Sequence, residues 1–289
     1  MKKLILIILS IVCSTETIAQ NKVLYFQTSW GFEGTPEAFI KKAKASGYDG
    51  IEIWSPTDKK EQIQISKLLK EQNMKVIYLC GSDPKLSFEK SLLAYKKYLK
   101  NTFELNPIAI NSHTGSDFYS FSQNMAFIEE ATKLSKQYKI PVYHETHRGR
   151  FSYSLPKTIE YIEKNKDLVL TLDISHWMVV HESLLLKRTD LLEKIIERSN
   201  HIHARVGFEE GPQVNDPSAP EWKFVVKRHT DIWSSVVKKI TSNNKIPTIT
   251  TEFGPPNYMP TLPITQEPIS DQWKANLYIM KILKKRLNN

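Results

Sequence analysis

The stretch Pro141-Val142-Tyr143-His144-Glu145-Thr146-His147-Arg148-Gly149-Arg150 decides how the chain is read. Pro-Val-Tyr has the composition of a short buried strand. It runs directly into two histidines, a glutamate and two arginines. Polar groups crowded at the exit of an apolar strand are costly to bury unless something binds them. The same pattern recurs downstream, in Leu168-Val169-Leu170-Thr171-Leu172-Asp173, Asn200-His201-Ile202-His203-Ala204-Arg205 and Pro247-Thr248-Ile249-Thr250-Thr251-Glu252. Four strand ends that each offer a carboxylate or an imidazole predict a metal site at one edge of a parallel sheet.

Outward from this stretch, the pattern is one of alternation. Strands are expected at Val23–Phe26, Tyr48–Trp54, Lys75–Leu79, Ile108–His113, Val142–Glu145, Leu168–Asp173, His201–Val206 and Ile246–Glu252. Helices are expected between them. Thr35 caps one that has Pro36 at its first position and runs through Ser46. Others cover Asp58–Gln72, Ser87–Phe103, Phe121–Tyr138, Leu155–Glu163, Glu182–Arg198, His229–Ser242 and Ser270–Leu287. Strict strand–helix alternation implies a parallel sheet. Eight such units without a break in composition predict a closed (β/α)8 TIM barrel, an α/β single domain over residues 20–289. An open doubly wound sheet is disfavoured, because no glycine-rich phosphate turn follows the first strand.

Residues 1–19 read as a secretory signal peptide: Lys2 and Lys3, an apolar run from Leu4 to Val12, and a small-residue cut after Ala19. Export, into a bacterial periplasm, follows as an expectation. Lipidation at Cys13 is disfavoured because Val12 is a poor small-residue site. Cys80 is then the only cysteine of the mature chain and is expected to be buried. No later run is apolar enough for a membrane span. The formal net charge is +9, but the basic residues are scattered and lack interleaved aromatics. A nucleic-acid groove is therefore not expected. Homo-oligomerisation is left open.

Seven of the eight histidines fall between His113 and His203, at or just past the middle strands. His229 is expected at the surface, opening a helix. Side chains alternate along a strand, so Glu145 and His147 share a face, as do His201 and His203. His203 is nearer the strand's end and is the better ligand; His201 is expected deeper. Glu145, Asp173, His203 and Glu252 form one set of three carboxylates and one nitrogen. Such carboxylates repel unless a cation neutralises them. The set suits one divalent ion, Mn²⁺, Mg²⁺ or Co²⁺, and the imidazole admits Zn²⁺. Salt bridges to Arg148, Arg150 and Arg205 are the competing use of the acids. Glu52, His113 and Asp117 are placed to reach the site. Trp30, Trp54, Trp177 and Tyr258 offer faces on which a sugar could stack.

Gly47-Tyr48-Asp49-Gly50-Ile51-Glu52-Ile53, Glu145-x-His147, Asp173-x-x-His176, His201-x-His203 and Glu252, in this order, resemble the xylose isomerase-like barrel superfamily. This group holds sugar isomerases, ketose 3-epimerases and related sugar-phosphate isomerase/epimerase-type proteins, with endonuclease IV as a distant relative. The resemblance implies that Glu145, Asp173, His203 and Glu252 bind the metal and that Glu145 and Glu252 also move the substrate proton. It implies that His176 contacts substrate. His147, Arg205, His113, Trp30 and Glu52 complete the expected carbohydrate-binding set. Arg205 stands close to, but not at, the epimerase arginine. The multi-zinc cluster of endonuclease IV needs more histidines on strands three and four than His113 alone. The implied chemistry is isomerisation or epimerisation through an enediolate. Lyase or hydrolase cleavage of 3-keto glycosides at the same residues is the first alternative, and a non-catalytic sugar-binding barrel the second.

Overall fold

Eight parallel strands close on themselves in sequence order, the first pairing with both the second and the eighth, in a computed structural model that describes residues 22–287. The expected signal peptide lies outside the described residues. The strands are β1 (Leu24–Thr28), β2 (Gly50–Trp54), β3 (Lys75–Gly81), β4 (Ala109–His113), β5 (Val142–Glu145), β6 (Leu170–Leu172), β7 (Ser199–Ala204) and β8 (Thr248–Thr251). The helices are α1 (Pro36–Ala45), α2 (Lys59–Glu71), α3 (Phe88–Phe103), α4 (Phe121–Tyr138), α5 (Leu155–Lys164), α6 (Ser175–Val180), α7 (Thr189–Arg198), α8 (Lys223–Ser242) and α9 (Gln272–Leu287). Among the described residues no helix is long and apolar enough to cross a membrane.

Local chemistry sets several helix starts. The Thr35 hydroxyl accepts from the Ala38 amide at 3.2 Å, and the Asp58 carboxylate accepts from the amides of Lys60 and Glu61. Ser120 and Gln123 bond reciprocally as a capping box ahead of α4. Each cap satisfies amides that a helix leaves open and stabilises by about 1 kcal/mol.

Alternation along the strands divides the barrel interior into layers. Leu24, Phe26, Ile77 and Ala109 pack together with Tyr143 and fill one inner level. Phe26 crosses space that any side chain on Gly50 would need: a Cβ there would lie 2.3 Å from its ring and 2.6 Å from the Lys75 carbonyl. Glycine in the Gly47–Ile53 motif is thus required by close packing. Glu52, Asn111, His201 and Thr250 lie farther along the strands, all buried. Glu145, His203 and the residues just past β6 and β8 stand at the mouth. The interior therefore grades from hydrocarbon to polar toward the C-terminal strand ends, the end where sites form in this fold.

Three expectations are corrected. The helix predicted over Glu182–Arg198 begins only at Thr189, and the short α6 precedes it. Glu182 and Leu185 take φ values of 44° and 55°, which breaks helical continuity, while Leu184 and Leu185 are buried in the core. Helix α8 begins at Lys223, not His229, and a 3-10 turn at Pro220–Trp222 leads into it. His229 is therefore a mid-helix residue and fully buried. Its Nε2 accepts from the Gly207 amide at 3.2 Å and its Nδ1 donates to the Val225 carbonyl, which anchors the loop after β7. Cys80 is buried, as expected.

Candidate metal centre

Glu145 ends β5, His203 points inward from β7, and Asp173 and Glu252 sit one residue past β6 and β8. One ligand atom from each lies within 4.8 Å of every other. The four strands bring together residues spread over more than a hundred positions of sequence.

The His203 ring is oriented from below. Its Nε2–H donates to Glu52 Oε1 at 2.9 Å, leaving Nδ1 2.8 Å from Glu252 Oε2 and 3.5 Å from Glu145 Oε2. His203 Nδ1 and Glu252 Oε2 are buried and, apart from facing each other, have no hydrogen-bond partner among the described residues. Two buried donor atoms aimed at one point, in a set of three carboxylates and an imidazole, fit a divalent cation. The imidazole–Glu52 bond is the arrangement that fixes a metal-bound histidine in one tautomer. Burial alone would lower the His203 pKa, but Glu252, Glu52 and Glu145 hold it well above its ordinary value. Burial, with Glu252 and Glu145, raises Asp173 to about 6 despite Arg205.

Glu52 was expected to face substrate. The structure places it beneath the site, fully buried, where His201 Nε2 meets its Oε2 at 3.0 Å and Thr250 donates to the same oxygen. His201 is deeper than His203, as expected, and is held through Nδ1 by Thr248 at 2.7 Å. Glu52 thus positions His203 instead of reaching a ligand. Replacing Glu52 with Gln should weaken divalent-ion binding by about 10–100-fold. Competition with a metallochromic chelator measures this; an unchanged affinity would remove Glu52 from the site.

Asn111 was not anticipated. Its Nδ2 donates to Glu52 Oε1 at 3.0 Å and to Glu145 Oε2 at 2.8 Å, tying the two acids together. The available signal was its position two residues before His113 on β4, hence on the same inward face.

Arg205 is buried and bonds Asp173 Oδ2 through Nη2; its Nε donates to Ser175 Oγ at 3.1 Å. Its Nη1 lies 3.7 Å from Glu252 Oε2. The salt-bridge use of the acids is therefore present for Arg205. Arg148 instead donates to the Tyr258 hydroxyl at 3.0 Å, and Arg150 to the Ser82 and Gly115 carbonyls. His176 was expected to contact substrate. It lies behind Arg205, fully buried, its Nε2 accepting from Nη2 at 2.7 Å and its ring 4.0 Å from that of His147. Arg205, two residues after His203, reaches into the space that would expose it.

Above these groups is a cavity of about 210 Å³. Glu145, Glu252, Arg205, His113 and His147 contribute its polar lining. Trp30, Trp54 and Tyr258 supply aromatic walls. Trp30 meets Tyr258 edge-on at 4.8 Å and packs where a side chain on Gly254 would collide, 2.3 Å from its indole. Trp54 is 50% exposed, at the rim. Trp177 is core: it is fully buried and donates to the Ser152 carbonyl at 2.8 Å. Asp117 does not line the cavity. His113 Nε2 meets Glu145 Oε2 at 2.8 Å. His144, on the opposite face of β5, bonds Thr114 at 2.7 Å and packs on Phe151. Burial lowers the His147 pKa to about 3, helped by His113.

A model of the xylose isomerase-like TIM barrel family matches residues 40–229. No curated protein matches the chain. Among solved structures, 3-keto-D-glucoside 4-epimerase from E. coli superposes with a TM-score of 0.63 at 14% identity, over 91% of this chain and 100% of that one. D-psicose 3-epimerase from Clostridium cellulolyticum H10 gives 0.61 at 11% identity, over 92% and 99%. A probable 3-DHS dehydratase from Bacillus anthracis gives 0.58 at 14% identity, over 91% and 100%. At these identities the likeness is one of fold.

Proposed function

This chain belongs to the xylose isomerase-like TIM barrel family, and on that premise we propose that it is a divalent-metal-dependent enzyme that isomerises or epimerises a sugar or sugar derivative. The observation that carries the proposal is the convergence of Glu145, Asp173, His203 and Glu252 below a cavity with aromatic walls. A divalent ion held there would bind neighbouring carbonyl and hydroxyl oxygens of a sugar and stabilise the charge of an enediolate. Asp173 and His203 serve as ligands. Glu145, on β5, and Glu252, after β8, approach from different sides of the barrel mouth. One removes the proton next to the carbonyl and the other returns it, as a pair of positioned carboxylates can. Arg205 offers its guanidinium to a substrate oxygen, while His176 keeps that guanidinium in place. Trp30 and Tyr258 cover the apolar face of the ring. Export to the periplasm is part of the proposal and brings glycosides within reach.

The rim favours a second reading with the same residues, cleavage of a 3-keto glycoside. The enclosed volume suits about one sugar ring, since pockets for larger ligands run from roughly 300 Å³. Half-exposed Trp54 would stack on a second unit outside it. Removal of the proton beside the keto group then expels the glycosidic oxygen as the leaving group.

Elemental analysis of the purified protein, followed by a screen of free and 3-keto sugars, tests both readings. The expected result is turnover that a chelator abolishes and Mn²⁺, Mg²⁺ or Co²⁺ restores. An isomer of unchanged mass supports the first reading and two fragments the second. Full turnover after exhaustive chelation would defeat both.

A further inference from the structure

The cavity above the metal centre has a neighbour. Between the N-terminal ends of α1 and α2 lies a second cavity of about 270 Å³, and the two share Ser29 and Trp54 as a common wall. We infer that this second cavity holds the aglycone of a glycoside, a neutral aromatic group of one or two rings, while the sugar occupies the first. The inference rests on the reading of the chain as acting on 3-keto glycosides, and it names the class of glycoside.

One turn of backbone serves both cavities. The Phe32 amide donates to the Ser29 carbonyl at 2.9 Å, and Gly31 takes a φ of 78°, which closes a tight turn. Trp30 then lines the first cavity and Phe32 the second. The Phe32 ring packs against Phe39 at 5.3 Å and Trp273 at 6.1 Å, so this wall is fixed. Strand β2 divides its residues in the same way. Glu52 points inward beneath His203, so Ile51 and Ile53 face outward. There, with Phe39 and Ile40 of α1 and Ile65 of α2, they line the second cavity. Trp54, at the end of β2, stands at the junction, its indole braced edge-on against His113 at 5.3 Å.

The lining selects the occupant. A second sugar ring would set its hydroxyls against hydrocarbon, which is costly without partners. Thr35, one of the few polar residues here, is already committed to the Ala38 amide as the α1 cap. Glu61 brings a negative charge, and among the described residues no lysine or arginine lines the cavity. An anionic occupant is therefore disfavoured as well. The volume is below the roughly 300 Å³ at which cavities for whole drug-sized ligands begin. It suits one apolar group carried by a larger molecule, with Trp54 stacked where that group joins the sugar.

The test is calorimetry on the Mn²⁺-loaded chain with both anomers of methyl and 2-naphthyl glucoside, cellobiose and free 2-naphthol. Unoxidised glucosides have no keto group to enolise, so they report binding without turnover; the 3-keto forms are compared through KM. One anomer of 2-naphthyl glucoside is expected to bind about 10–100-fold more tightly than its methyl counterpart or cellobiose, the range for an aromatic group taken out of water. Ile65→Phe, which fills the cavity from α2, should abolish this preference and leave methyl glucoside binding unchanged. Nuclear Overhauser contacts from the naphthyl protons to the methyls of Ile53 and Ile65 need no variant and are expected in the wild type. Equal binding of the methyl and naphthyl glucosides, tighter binding of cellobiose, or naphthyl contacts elsewhere would overturn the aglycone site and leave the glycoside reading standing. Binding of 2-naphthol at Ile53 and Ile65 with no glycoside bound, oxidised or not, would defeat the glycoside reading and leave only an aromatic-binding cavity.

Discussion

Glu252→Gln should lower kcat by about 10²–10⁴-fold on the substrate that the screen identifies, the range for loss of a positioned acid or base. The change is nearly isosteric, so the amide carbonyl can still reach the ion. At saturating metal the loss should fall on kcat more than on KM, since only the proton-transfer group is gone. Glu252 is suited to the test because it lines the cavity and its contacts are few. Asp173 accepts from Ser175 and Arg205, and Glu145 accepts from Asn111 and His113. Oε2 of Glu252 meets His203 Nδ1 at 2.8 Å and lies 3.7 Å from Arg205 Nη1. Steady-state kinetics with metal content measured on the same samples decides the matter. Turnover within a few-fold of wild type in a fully loaded variant would exclude Glu252 from proton transfer.

The largest effect on stability is expected from Arg205. Arg205→Met keeps much of the volume but leaves Asp173 buried beside Glu252 and Glu145 without its guanidinium. Removing one partner of a buried ion pair costs about 3–5 kcal/mol. For a chain of this size that lowers Tm by on the order of 10 °C. The sign of the metal dependence is the informative part. In metal-free protein Arg205 supplies positive charge to Asp173, and a divalent cation can take over that work. The variant should therefore gain more Tm from saturating Mn²⁺ than the wild type does. Thermal melts of both proteins with and without metal measure this. An equal gain in both would mean that the guanidinium and the ion do not share the same carboxylates.

The barrel was legible because its signals are local and repeated. Thr35-Pro36 starts a helix wherever it is placed, and β-rich runs such as Lys75–Leu79 make strands by composition and length. Eight repetitions leave few ways to bury the apolar faces other than closure. The three acids and the imidazole were legible for the same reason, since each lies at or beside a strand end and strand ends share one edge. Residues 182–188 misled because they carry helix-forming side chains, while the left-handed backbone at Glu182 and Leu185 comes from packing Leu184 and Leu185 into the core.

The sequence by itself determined the closed alternation of strands and helices and the set Glu145, Asp173, His203 and Glu252, because period-two alternation puts every inward side chain in register. Only the tertiary structure decided what those side chains do to one another. It put Glu52 under His203, His176 behind Arg205, Asn111 between two acids and His229 inside its helix layer. Such pairings depend on depth within the barrel and on the reach of long side chains. Both are set by strand stagger and by packing between residues as far apart as positions 52 and 203, and no local pattern in the chain encodes them.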